Sequence, residues 1–302
     1  MSKIRVNEYT LKNPNIKEDK KILNMSDLHG NIDALKDIKK YLESIKVDFI
    51  TIPGDLTDSI FQDGIDEFTK ELKDMSNLAN MYIVLGNHDT AVYGDPTKMK
   101  TRCLEKYPLF ENMKDFENGK FFADDFSKVS VCDDLDIYAL NLPKRYYANK
   151  DDDKRFDEYI RKINKLQKSG DKFNLLLVHS PNSIVRKKKI IDSYITEDIN
   201  LVLAGHNHGG LVPTFIQDLF KTNRGFVGPY GIFFPSYAHG IINGENKSIL
   251  TSNGVVRISD VAYYPHLHKF LRLFFLPEVD LINLKNGKEH EFKLEKRNVY
   301  RL

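Results

Sequence analysis

KILNMSDLHGN (21–31) and DFITIPGDLTD (48–58) decide the fold. Each begins as a short apolar run and breaks off at aspartate, histidine and glycine. KILNMS (21–26) and DFITIPG (48–54) predict buried strands, too short and too β-branched for helices. Between them Ile32, Leu35, Ile38, Leu42 and Ile45 recur at helical spacing, which predicts an amphipathic helix. Working outward, the alternation repeats. Residues 65–75 predict a second helix, and MYIVLG (81–86) a third strand. LDIYALN (135–141), FNLLLVH (173–179) and INLVLAG (199–205) predict further strands. The stretch 151–168 has an acidic start and a basic finish, as an exposed helix does. SILTSNGVVRI (248–258) and EVDLINLK (278–285) read as closing strands. Strands and helices in alternation predict an α/β layered architecture, with ligands bound at the carboxyl ends of the strands.

The chain has 302 residues, 41% hydrophobic and 29% charged, enough to bury a substantial core. With no internal repeat or break in composition, a single domain over 1–302 is expected. Within it, an aromatic, glycine-rich insertion covers about 209–245. A net charge of +2 and the absence of an aromatic-basic stripe argue against a stable nucleic-acid partner. Cys103 and Cys132 lie outside every chemical motif and make no disulfide framework. The polar N-terminus lacks a secretory apolar region, and no apolar run reaches the ~18 residues of a spanning helix. The expected location is the cytoplasm, with peripheral membrane contact open. The sequence leaves the oligomeric state unread.

Five elements carry the chemistry, each after an apolar run. They are Asp27-Leu28-His29-Gly30, Gly54-Asp55-Leu56-Thr57-Asp58, Gly86-Asn87-His88-Asp89, Val178-His179-Ser180 and Gly205-His206-Asn207-His208-Gly209. Residues two apart on an extended backbone point the same way, so Asp27 with His29 and His206 with His208 form chelating pairs. Carboxylate, imidazole and amide donors without a thiolate suit manganese, iron or zinc. Each element alone has a plain structural reading: a lone histidine satisfied in the core, Asp58 or Asp89 as a helix N-cap, Gly86–Asp89 as a turn. Together they supply seven metal ligands: Asp27, His29, Asp55, Asn87, His179, His206 and His208.

In this order the elements resemble the calcineurin-like metallophosphoesterase superfamily, D-x-H…G-D-x-x-D…G-N-H-[DE]…H…G-H-x-H. The resemblance implies a four-layer sandwich of two mixed sheets flanked by helices. It implies two divalent or trivalent ions: one on Asp27, His29 and His208, a second on Asn87, His179 and His206, with Asp55 bridging. His88 matches the catalytic histidine and Asp58 the carboxylate that orients it. The implied reaction is in-line attack of a metal-bound hydroxide on a phosphate ester, phosphodiester or pyrophosphate favoured. A nucleotide or nucleic-acid phosphodiesterase is the alternative, as is a scaffold of the same fold without catalysis. Ser59-Ile60 replaces the Arg-Gly of the protein phosphatase branch.

GHNHGG, TSNGVV and the closing strand look like a bacterial subgroup, often membrane-attached, of phosphodiesterases and glycolipid pyrophosphatases. Asn207 stands where that subgroup carries a small hydroxyl residue. The expected substrate is a small-molecule or lipid-linked phosphate ester. Phe215, Phe220, Phe226, Tyr230, Phe233, Phe234 and Tyr237 could rim the metals, but packing over the sandwich edge is the first expectation. Arg186–Lys189 reads as a solvated helix face, and Lys144 and Arg145 as residues following a strand end. His239, His266 and His268 read as structural.

Overall fold

The computed structural model describes residues 3–58, 63–89, 113, 116–124, 126–141, 171–181, 198–220, 222–229, 232–255 and 275–301. One sheet holds β1 (Lys3–Asn13), β2 (Lys20–Asn24), β3 (Phe49–Pro53), β4 (Asn80–Val84), β5 (Gly119–Phe121), β12 (Glu278–Asn286) and β13 (Glu291–Arg301). The other holds β6 (Phe126–Cys132), β7 (Leu135–Leu140), β8 (Phe173–Val178), β9 (Leu201–Ala204), β10 (Gly240–Asn243) and β11 (Ser248–Thr251). Their orders are β13-β1-β12-β2-β3-β4-β5 and β10-β11-β9-β8-β7-β6. Strands β2 to β5 run parallel in the first sheet, and β7, β8, β9 and β11 in the second. Antiparallel β12, β13, β10 and β6 make both sheets mixed, as expected.

The two faces of each strand explain the layering. On β7 and β8, Ile137, Ala139, Leu175 and Leu177 meet Ile22, Phe49 and Val84 of the first sheet in a buried inter-sheet core. The alternate residues of the first sheet, among them Leu23, Ile50, Ile52 and Ile83, face the other way, onto two helices. These are α1 (Ile32–Glu43) and α2 (Ile65–Ser76). Helix α1 buries Leu35, Ile38 and Leu42 at the spacing expected. It starts where the Asn31 side chain accepts a hydrogen bond from Ala34 N, 3.1 Å, a cap worth about 1 kcal/mol. Each fully buried leucine or isoleucine adds roughly 1.5–3 kcal/mol. The helix expected over 151–168 lies outside the described residues, as do Lys144, Arg145, Arg186–Lys189, Tyr230, His266, His268 and Cys103.

Five strands were not expected: β1, β5, β6, β10 and β13. β1 and β13, each of 11 residues, pair antiparallel along the edge of the first sheet. Both alternate, but their outward residues are so polar that composition reads them as linkers. The closing strand expected over 248–258 is shorter among the described residues, β11 ending at Thr251. No helix among the described residues is long and apolar enough to cross a membrane.

The 209–245 insertion departs from its first expectation. It contains α3 (Thr214–Phe220) and an isolated bridge between Val227 and Phe233. Phe215, Phe220, Phe226, Phe233 and Phe234 are exposed rather than packed, while Tyr237 is half-buried. A 3-10 turn at His208–Leu211 precedes α3, whose Gln217 side chain donates to Val212 O at 2.9 Å.

Candidate metal centre

The carboxyl ends of β2, β3, β4, β8, β9 and β11 meet at one end of the sandwich. Beyond β2 and β3 the chain stays zipped: Asp27 N donates to Gly54 O at 3.1 Å and His29 N to Asp55 O at 3.0 Å. These loops turn sharply. Asp27, His29, Asp55, His206 and His208 all take positive φ, between 45° and 74°. A non-glycine residue there costs about 1 kcal/mol or more, so strain gathers on five of the seven expected ligands. Hydrogen bonds between loops offset it. His206 N donates to Asp27 Oδ1 (3.0 Å), and His88 N donates to Asp55 Oδ1 (2.9 Å). The approach is close: a Cβ on Gly86 would fall 2.0 Å from Asp55 Oδ1, so only glycine fits.

The seven expected ligands converge as two groups. In the inner group, His179 Nε2 lies 3.1 Å from Asp55 Oδ2, from Asn87 Oδ1 and from His206 Nδ1. The His179 Nδ1–H is committed to Pro53 O at 2.9 Å, so its Nε2 lone pair turns to that cluster. In the outer group, Asp27, His29 and His208 bring one donor atom each within 4.8 Å of the others. His208 Nε2 is 3.7 Å from Asp27 Oδ1, and its buried Nδ1 has no hydrogen-bond partner among the described residues. Asp55 touches both groups, because its Oδ2 is also 3.7 Å from His29 Nε2. Several electron-pair donors aimed at one another fit cations with mixed nitrogen and oxygen preference. The residues present therefore suit two metal ions.

The electrostatics agree. Burial opposes a charge on His179, yet Asp55 and Asp27 raise it to about 9. Burial likewise opposes charge on His29, and the Asp58 hydrogen bond with Asp55 and Asp27 raises it. The field of these carboxylates favours positive charge at both positions, whether proton or metal. Against its own burial, Asp55 is held well below the usual carboxylate range by His179, His29 and His88. Burial and the neighbouring His179 push His206 well down, and burial lowers His208. Neutral imidazoles are what a metal requires.

Around the ligands stand the residues that orient them. His88 is half-buried, edge-on to His29 with ring centroids 4.9 Å apart. Its Nδ1–H meets the Asp58 main-chain carbonyl at 3.0 Å, while the Asp58 carboxylate sits 2.5 Å from His29 Nδ1. The resemblance implies that the Asp58 carboxylate orients His88; here the carboxylate contacts His29 Nδ1 and one of its oxygens lies within 4.8 Å of a His88 ring nitrogen, while the Asp58 main-chain oxygen takes the His88 Nδ1 contact. Two more groups escaped the sequence reading. Ser26 Oγ donates to Asp27 Oδ2 (2.6 Å). Buried Asp89 accepts from Gly86 N (2.8 Å), Thr57 N (3.1 Å) and Leu56 N (3.2 Å), stapling the β3 and β4 loops together. The signal for Asp89 was its place as fourth residue of Gly86–Asp89.

Those loops fall within the stretch, residues 20–210, that matches the model of the calcineurin-like phosphoesterase family. The chain belongs to that family. Membership implies a dinuclear divalent metal centre, for which the two ligand groups are the candidates. An uncharacterised metallophosphoesterase of Campylobacter jejuni is 25% identical over 280 residues, covering 91% of this chain and 62% of the relative. A metallophosphoesterase of Caenorhabditis elegans is 29% identical over 218 residues, covering 68% of this chain and 40% of the relative. The chain thus spans less than two thirds of the length of these two relatives. A solved archaeal phosphodiesterase superposes with a TM-score of 0.36 at 16% identity, over 78% of this chain and 84% of that one.

Proposed function

We propose that the chain hydrolyses a phosphate ester, phosphodiester or pyrophosphate favoured, at a two-metal centre. Asp27, His29 and His208 would hold one ion, Asn87, His179 and His206 the other, and Asp55 would bridge. The observation that carries this reading is the position of Asp55 Oδ2 between His29 Nε2 at 3.7 Å and His179 Nε2 at 3.1 Å. One carboxylate can serve two cations; an imidazole cannot. Bound there, two divalent ions supply positive charge to phosphoryl oxygens and lower the pKa of a nearby water.

The chain's own residues do the rest. The Asp58 carbonyl fixes the His88 tautomer, so its Nε2 is the atom that holds or delivers a proton at the leaving oxygen. The Asp58 carboxylate and Pro53 carbonyl hold the Nδ1 sides of His29 and His179, which turns their Nε2 atoms toward Asp55. Manganese, iron and zinc all suit this ligand chemistry. A small-molecule or lipid-linked ester is the substrate class proposed.

The test is hydrolysis of bis-p-nitrophenyl phosphate against p-nitrophenyl phosphate by protein stripped of metal and reloaded with manganese, zinc or iron. Two ions per chain and faster cleavage of the diester are expected. Bound metal without hydrolysis of either ester would leave a metal-binding scaffold instead. Monoester preference would overturn the diester assignment.

A further inference from the structure

We infer that the aromatic hairpin beside the metal centre docks the protein on the surface of an anionic phospholipid bilayer. Among the described residues, eight large apolar side chains stand exposed, and six of them lie between Phe215 and Phe234. Leu219, Phe220, Phe233 and Phe234 are each between 65% and 73% exposed. Single exposed apolar residues are ordinary; a cluster of this density marks a contact surface.

The cluster is built into the site end of the fold. Phe234 N donates to Phe226 O (3.0 Å) and Gly228 N to Ile232 O (2.8 Å), closing a short hairpin. Its base rests on the loop that carries His206 and His208. Phe226 N and Val227 N both donate to Gly210 O, at 2.6 and 3.1 Å, and Asn207 Nδ2 donates to Tyr237 O at 3.2 Å. A Cβ on Gly210 would fall 2.4 Å from Gly225 Cα, so hairpin and ligand loop are in backbone contact. In its second arm Phe234 adopts a φ of 53°. For a bulky residue that conformation is strained, and a ring 65% exposed recovers little packing energy in return. Strain kept without burial points to a use for the ring outside the chain.

Charge and shape select the occupant. The acidic group of this segment, Asp218, is already paired with Arg297 at 2.8 Å. Exposed Arg224 beside the hairpin adds a positive charge to the rim. The exposed rings are carried on two separate elements, α3 and the hairpin. A lipid surface accepts protruding apolar groups at headgroup depth, and its anionic headgroups complement the rim. Docked this way, the sandwich would hold its metal end close to the headgroups.

The experiment is co-sedimentation of the full chain with phosphatidylcholine vesicles, with and without about one third phosphatidylglycerol. Wild type should pellet with the anionic vesicles and less with the neutral ones. The double variant Phe233→Ser/Phe234→Ser should lose at least about tenfold in partitioning. Arg224→Gln should lose about fivefold, an effect that added salt removes. Both variants should keep hydrolysis of the soluble diester, which shows that they fold. Failure to pellet with either vesicle overturns the inference, as does unchanged partitioning of the double variant. A dimer that the double variant dissolves, with no pelleting, would make a second copy the occupant. The inference stands apart from catalysis: vesicle binding without hydrolysis would sink the phosphoesterase reading and leave this one.

Discussion

The ligand loops and the aromatic hairpin both hold bulky residues at positive φ, yet they sustain that strain differently. Asp27, His29, Asp55 and His206 are buried, and each of their loops is tied to another by a hydrogen bond of 2.9–3.1 Å. Phe234 N is tied to its own hairpin partner, Phe226 O, and its ring is 65% exposed. In the first region the strained backbone aims donor atoms at one another, which a cation would reward. In the second it aims apolar rings at solvent, which only an outside surface would reward. Strain in this molecule therefore marks two kinds of contact, one made inside the fold and one made beyond it.

The largest effect should come from the residue that joins the two ligand groups. Asp55→Ala is expected to cost more than about a thousandfold in turnover and both ions, as read by metal content after dialysis. Retention of two ions would show that the groups close independently and would break the account of the ligand loops. His88→Ala should cost about a hundred- to a thousandfold in turnover with both ions kept. Metal loss in that variant would make His88 a ligand.

A finer test concerns Asp58, because its carboxylate and its carbonyl serve different histidines. Asp58→Asn keeps the carbonyl, so His88 stays held while His29 loses its anionic partner. Outer-group metal affinity should fall about 10–100-fold, with the inner ion retained. If the variant instead keeps both ions and loses turnover as His88→Ala does, the carboxylate serves His88 after all.

Much of the inner region was legible in the sequence. Strand length and helical spacing placed eight of the strands together with α1 and α2, and the five strand-end elements picked out side chains that converge, because burial writes a period of two or 3.6 into the chain. The edge pair β1 and β13 was not legible. Their outward residues, such as Lys3, Lys293 and Glu295, are as polar as a linker's, and it is pairing, of β1 with both β12 and β13, that makes them strands. The exposure of Phe220, Phe233 and Phe234 was equally hidden, since a phenylalanine in a sequence reads as core. Which atom of Asp58 meets His88 is a matter of ångströms that no spacing encodes.

The smallest expected effect tests how firmly the hairpin is founded. Its base is tied by Asn223, whose Nδ2 donates to the main-chain oxygens of His239 (2.6 Å) and Ile241 (3.1 Å). His239 is itself buried, and burial lowers its pKa to about 4. Its folded value lies below the unfolded value of about 6.5, so the folded state prefers the neutral ring. The stability this contributes is complete above pH 6.5 and is lost as pH falls towards 4. Between pH 7 and 5 the loss should be about 1–2 kcal/mol. Buried Asp280, pushed up to about 6, pulls the other way, because its protonated form is the one the fold prefers. The comparison of His239→Gln with wild type in urea at both pH values therefore isolates the histidine. Wild type should lose more stability than the variant on acidification. An equal slope in the two proteins would mean that the hairpin base opens to water before His239 is protonated, and that the outward-facing region is less firmly founded than the ligand loops it rests on.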